Sequence, residues 1–311
     1  MGKKLTDAQI ASFKSDGFLS PVDLFSEEEA SSLRAQFEEA ERRWPEAFAG
    51  AARSNAHYNF TFLDRIVHDP GLLDAMEDLV GPNILNYGTV LFIKEPRDPG
   101  FVSWHQDSRY LGLTPPDAGV TVWVALSPAN EQSGCMQMIP GSHTQGLVDH
   151  VDTFGETNIL TRGQDIASVD PKQAVATPLR PGQASFHSMT VIHGSAPNNS
   201  DDRRIGFAIQ SYLPTHVTSE TRVPAQLVRG EDSFGNFDPI GRPTQDMAEG
   251  DVVRRDEVNQ IWADILYKDA AAIYRRLSVR SSPQRQGWLQ DRLRSFALVQ
   301  SVRAAQDRNL W

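Results

Sequence analysis

The middle of this chain is the part that leaves it fewest choices. Over 83–214 it reads as short β-branched or aromatic runs, among them "NILNYGTVLFIKEP", "GVTVWVALSP", "GCMQMIPGSH", "QASFHSMTVIHGSAP" and "RRIGFAIQSYLP". The clusters "RDPG", "TPPDAG", "PGS", "RPGQ" and "PNNSDD" separate them. Gly, Pro, Asn and Asp make turns there, while branched and aromatic side chains suit a half-buried pleated surface. Several strands without helical pattern between them argue against βαβ winding and for an antiparallel sandwich or barrel.

Helices flank this core. "TDAQIASFKSDGF" offers Thr6 as a cap and stops at Gly17. "SEEEASSLRAQFEEAERRWP" has Ser26 as a cap, acids in its first turn, bases in its last and Pro45 beyond. "DPGLLDAMEDLVGP" is a third short helix closed by Gly81 and Pro82. From about Asp251 helical period returns, with Ile261, Trp262, Ile265, Leu266, Ile273 and Leu277 on one stripe and Leu289, Leu293 and Phe296 beginning another. The expected organisation is one domain over 1–311: a helical leader (1–82), a β core (about 83–245) and a helical extension (about 251–311). A polar, weakly periodic stretch at 149–172 interrupts the core and reads as a surface excursion that covers a site.

Composition narrows the classes. The 311 residues carry a net charge of -10, which argues against contact with a nucleic-acid backbone. The tail from Asp251 is the exception, with eleven Lys/Arg against seven Asp/Glu. It reads as a helical extension packed on an acidic body, with partner binding, including self-association, as the alternative. One cysteine, Cys135, rules out an intrachain disulfide and suits a cytoplasmic home. No apolar run is long enough to span a bilayer. "MGKKLT" fits a lipidation pattern, but the next residues read as a helix start.

The chemistry gathers at "VSWHQDSRY". In a strand, Ser103, His105 and Asp107 would point one way and Val102, Trp104 and Gln106 the other. An imidazole and a carboxylate sharing a direction are two parts of a facial metal site, although a lone His-x-Asp is weak evidence. A third ligand must come from elsewhere. His193 ends "FHSMTVIH" before a turn and His187 is its rival, with a core histidine as the plain reading of the latter. Arg204 follows eleven residues after His193. Alternation puts Arg204, Gly206, Ala208 and Gln210 on one face, so a guanidinium suited to gripping a carboxylate has small neighbours that leave room for a ligand.

The ordered set His105-x-Asp107, His193-Gly-Ser195 and Arg204, with "WHQD", "IPGSH" and "HGSAPNNS", resembles the phytanoyl-CoA dioxygenase family. These are Fe(II) and 2-oxoglutarate dependent oxygenases on a double-stranded β-helix, the jelly-roll or cupin-like fold. The resemblance runs from "SDGFLS" to about "VRGEDSFGNF" and does not reach the helical tail. It implies that His105, Asp107 and His193 hold iron and that Arg204 binds the far carboxylate of 2-oxoglutarate with help from Ser195. Trp123 flanks the cosubstrate, or is simply a core tryptophan. Lys94 is a further candidate, although a lysine at a strand end is ordinarily solvated. Ser108, Arg109 and Tyr110 become candidates for a substrate pocket.

The function implied by the resemblance is hydroxylation of an aliphatic C–H of a small metabolite or natural product, with O2 consumed and succinate and CO2 released. Desaturation, cyclisation and epimerisation share that chemistry. An intact Asp107 argues against halogenation, which in relatives goes with Ala or Gly there. The rivals are a cupin-like metalloenzyme without 2-oxoglutarate, which leaves Arg204 idle, and a non-catalytic jelly-roll binding protein.

Overall fold

The computed structural model describes residues 2–155, 157–160 and 162–268, and the core and site lie in its compact unit 1–266. The expected apolar positions Ile273, Leu277, Leu289, Leu293 and Phe296, and any self-association through them, lie outside the described residues.

Local signals set the leader. Helix α1 (Asp7–Asp16) starts on a reciprocal capping box between Thr6 and Gln9 and ends at Gly17, whose φ of 84° suits glycine. Helix α2 (Glu27–Arg43) starts on the same device, Ser26 with Glu29, and buries Ala30, Phe37 and Ala40 along one stripe. Helices α3 (Thr61–Val67) and α4 (Pro70–Val80) close the leader, the second capped by Asp69 with Pro70 at its first position. One element contradicts the purely helical reading. Phe18–Asp23 is a strand and forms the edge of the main sheet against Gln183–Ser188. Its six residues follow a helix stop and contain Pro21, features that read as a loop.

Two sheets make the core. The larger has eight strands. Its centre orders Phe18–Asp23, Gln183–Ser188, Val120–Ala125 and the long strand Arg204–Pro214. Thr89–Lys94 and Ile84–Asn86 pair with successive halves of that long strand. The smaller sheet orders Val175–Thr177, Met136–Met138, His193–Ser195 and Val102–His105. One face of the main sheet is apolar. Val122, Val124, Phe186, Ile205, Phe207 and Ile209 meet Phe37, Phe48, Leu63 and Met76 of the leader in one buried cluster. The leader is therefore a packed layer over the back of the sheet, and the opposite face turns toward the smaller sheet. This is a double-stranded β-helix, as expected.

Helix α5 (Glu249–Leu266) accounts for the start of the tail. Val258 and Trp262 are buried, and the Trp262 ring stacks on Tyr87 at 5.2 Å and 25°. A Cβ on Gly88 would fall 2.3 Å from that indole, so only glycine admits it. The near part of the apolar stripe is thus spent on the body of the protein. No helix among the described residues is long and apolar enough to cross a membrane.

Candidate metal and cosubstrate site

The site lies between the sheets, where His105 and His193 are direct cross-strand partners. The strand Val102–His105 stops two residues short of the expected Asp107, which instead opens a 3-10 turn, Asp107–Tyr110. The shared direction survives because Gln106 keeps extended dihedrals, φ -119° and ψ 130°. One ligand atom from each of His105, Asp107 and His193 falls within 4.8 Å of the others. Nε2 of His105 is 3.5 Å from Asp107 Oδ1 and Nε2 of His193 is 3.8 Å from the same oxygen.

The ring orientations suit metal ligands. His105 Nδ1 lies 2.9 Å from the Ser103 carbonyl and His193 Nδ1 lies 3.1 Å from that of Val191. A carbonyl only accepts, so each Nδ1 carries a hydrogen and each ring turns Nε2 to the centre. Burial holds His193 well below the usual imidazole range, with His105 adding to the effect. Burial pushes the Asp107 carboxyl up, but the imidazoles of His193, His105 and His187 prevail and hold it well below the usual value. A neutral His193 beside an ionised Asp107 suits a divalent transition metal.

Beside the triad sit two buried basic side chains. Arg204 is 1% exposed, donates through Nη1 to the Gly134 carbonyl at 2.6 Å, and has no partner for Nε among the described residues. Lys94, its cross-strand partner, is 0% exposed, which overturns the solvated reading. Its ammonium donates to Ser195 Oγ at 2.8 Å and to the Ala196 carbonyl. Burial, with Arg204 nearby, pulls Lys94 down to about 6, and burial pulls Arg204 down to about 10. Among the described residues neither meets a carboxylate at ion-pair distance. The buried Arg204 charge is costly unless an anion joins it, and an arriving anion would draw a proton onto Lys94 as well.

Trp123 is buried, and its ring lies 5.2 Å from the Arg204 guanidinium. A Cβ on Gly206 would come within 1.8 Å of that indole. The expected space for a ligand beside Gly206 is therefore filled by Trp123, whereas Ala208 and Gln210 do line the cavity. Alternation also fails at Val102. His193 faces His105 while Ser195 faces Val102, so one extra residue bulges between them and Val102 lines the cavity with His105. Ser103 instead meets the excursion, where its hydroxyl donates to the Gln164 carbonyl and accepts from Asn158 Nδ2.

Ser108, Arg109 and Tyr110 do not line this cavity. Ser108 is spent on the Pro116 carbonyl, Arg109 is exposed, and Tyr110 donates to Asp152 Oδ1 at 3.2 Å. The 3-10 turn carries them away from the direction a continued strand would have given. The excursion itself is built in. It holds the short strands Val151–Asp152 and Gln164–Asp165, the buried Arg162–Asp152 pair, and a hydrogen bond from Ile166 N to the Trp104 carbonyl. Gln106 fixes its root, with its amide donating to Gly146 and Thr190 carbonyls and accepting from Val148 N. Among the residues outside the expected set that also face the cavity are Thr121 and, apart from its rivalry with His193, His187. Strand alternation points to both, since each sits two residues from a buried neighbour on the same face, Trp123 and Ser185.

A jelly-roll with a His-x-Asp and distant His between its sheets, and two basic side chains behind them, defines the non-haem iron oxygenase scaffold. Residues 13–206 match the phytanoyl-CoA dioxygenase (PhyH) family, and the chain belongs to it. Phytanoyl-CoA dioxygenase domain-containing protein 1 of Danio rerio is 33% identical over 147 residues, 45% of this chain and 49% of its own. The chain spans about half the length of the curated relatives it matches. Among solved structures, apo ThoJ, a non-heme monooxygenase, is 32% identical with a TM-score of 0.75, over 84% of this chain and 99% of that one. SnoK, a non-heme alpha ketoglutarate dependent carbocyclase from nogalamycin biosynthesis, is 26% identical with a TM-score of 0.55, over 69% and 86%.

Proposed function

We propose that the chain is a non-haem Fe(II)/2-oxoglutarate-dependent dioxygenase that hydroxylates an aliphatic C–H of a small metabolite or natural product. The observation that carries this is the pairing of a facial two-histidine, one-carboxylate set with two buried basic side chains, Arg204 and Lys94, that meet no carboxylate at ion-pair distance among the described residues. When bound, Fe(II) with 2-oxoglutarate and O2 supplies the C–H oxidant and leaves succinate and CO2.

The chain's own residues do the rest. His105, Asp107 and His193 would hold the iron on one side and leave it open to further ligands on the other. Arg204 and Lys94 receive the far carboxylate of 2-oxoglutarate. Ser195 accepts from Lys94, so its own hydroxyl hydrogen is free to reach that carboxylate. Trp123 walls the cosubstrate off from Gly206. Phe92, Val102 and Met136 give the cavity apolar walls, which suits a substrate presenting an aliphatic carbon. The net charge of -10 fits a small-molecule partner and not nucleic acid.

The kinship with SnoK favours a second reading in which the same oxidant closes a ring. Both share one test. Supplied with Fe(II), 2-oxoglutarate and O2, the protein should release succinate, and Asp107→Ala should abolish release. Iron-loaded protein that yields no succinate, with or without candidate substrates, would reject both.

A further inference from the structure

Asp107 has two oxygens, and only one of them faces the other ligands. Oδ1 points at Nε2 of His105 and of His193. Oδ2 accepts from the Thr121 hydroxyl at 2.7 Å and lies 3.3 Å from Nε2 of His187. Thr121 and His187 are directly opposed on neighbouring strands of the main sheet, so they approach that oxygen from one rigid surface. Both are buried, at 3% and 1% exposure. Neither ring nitrogen of His187 completes a hydrogen bond among the described residues, although burial makes an unpaired imidazole costly. The acceptor that its Nε2 faces is Asp107 Oδ2.

A third residue points the same way. Ser211 sits at the bulge in the long strand, between Ile209 and Tyr212, with a φ of 81°. A serine rarely holds such a conformation, and bulges beside sites serve to re-aim side chains. Here the Ser211 hydroxyl is turned to within 3.4 Å of Thr121 Oγ1, behind the bond to Oδ2.

We propose that His187 is a positioning residue that, with Thr121, engages Oδ2 so that Asp107 offers the metal a single oxygen. The inference rests on the iron site proposed above. Three facial ligands leave three positions, of which 2-oxoglutarate needs two. An Asp107 free to swing and bind through both oxygens would take one of them. His187 thus stands behind the ligand set and not in it, so it and His193 serve the same metal in different roles.

The test compares His187→Phe, which keeps a ring without a donor, His187→Gln, which keeps a donor, and Thr121→Val, which removes only a hydroxyl. Anaerobic Fe(II) affinity and 2-oxoglutarate affinity of the iron-loaded protein are measured beside thermal unfolding. Removal of a partner behind a metal ligand costs roughly 10–100-fold in metal affinity. We expect that loss in His187→Phe and Thr121→Val, with weaker 2-oxoglutarate binding, near-wild-type unfolding, and recovery of most of both affinities in His187→Gln. Wild-type affinities in His187→Phe, or a His187→Gln as impaired as His187→Phe, would overturn the proposal. Should the His187 variants fail to fold, Thr121→Val decides alone, and unchanged affinities there would overturn it. Wild-type protein that binds no Fe(II) is a separate result, and it would bring down the iron site itself.

Discussion

Two backbone carbonyls decide what His105 and His193 can be. By accepting the Nδ1 hydrogen of each ring, the Ser103 and Val191 carbonyls hold both rings with Nε2 toward Asp107. Lys94 is the residue whose chemistry should be easiest to read in solution. Its ammonium is pulled down to about 6 by burial and by Arg204, so near pH 8 it is largely neutral in the free protein. A carboxylate arriving beside it stabilises the charged form, so binding must take up a proton above pH 6. The affinity for 2-oxoglutarate should therefore weaken as pH rises from 6. Calorimetry of the metal-loaded protein in two buffers of different ionisation enthalpy should show net uptake near pH 8; no uptake would take Lys94 out of the cosubstrate site. The linkage for folding has the matching sign. Between about 6 and the ordinary lysine value the unfolded chain binds the extra proton, so stability of the free protein rises with pH across that window. The pairing of His105 with Asp107 was legible in their spacing, whereas His193 stood against His187, another histidine, until the family resemblance ordered the set with Arg204. The burial of Lys94 was not, because "FIKEP" ends a strand and shows nothing of what packs across it.

At the level of single strands, alternation is both the most useful rule and the one that fails locally. It holds along Arg204–Pro214 as far as the bulge, sending Ile205, Phe207 and Ile209 to the leader and Arg204, Ala208 and Gln210 to the cavity. It fails at Val102 and Ser103 because one residue bulges out, and a bulge leaves no mark in hydrophobic pattern. Gly206 shows the same limit. The sequence displays a small residue, and only the structure shows that the Trp123 ring already fills the space. Gly206→Ala should accordingly displace the indole from beside Arg204. Overpacking of this kind costs about 1–3 kcal/mol. Urea unfolding should register that loss, and 2-oxoglutarate affinity should fall while Fe(II) affinity holds. An alanine variant with wild-type cosubstrate affinity would show that Trp123 does not shape that part of the site.

Across the compact unit, the division of labour follows the two faces of the main sheet. The apolar face binds the helical leader and supplies stability, while the other face carries Thr121, Trp123, His187 and Arg204 toward the smaller sheet. Caps and turn clusters made the leader helices and the β core readable, since Thr6, Ser26 and Asp69 each signal a start by local bonding alone. The edge strand Phe18–Asp23 was hidden, because a strand that begins just after a helix stop and contains proline is defined by its partner and not by its own residues. The excursion at 149–172 was recognised by polarity, but its buried Arg162–Asp152 pair and its seating on the ligand strand depend on long-range contacts. If these layers exist to hold Fe(II) and 2-oxoglutarate side by side, the chelate itself should be visible. Anaerobic titration of the metal-free protein with Fe(II) and then 2-oxoglutarate would follow its weak visible charge-transfer band. The band should appear in the wild type and vanish in His193→Ala, and Arg204→Ala should require far more 2-oxoglutarate to reach it. Fe(II) demonstrably bound with no band at saturating 2-oxoglutarate would mean that the two basic side chains behind the triad do not receive this cosubstrate.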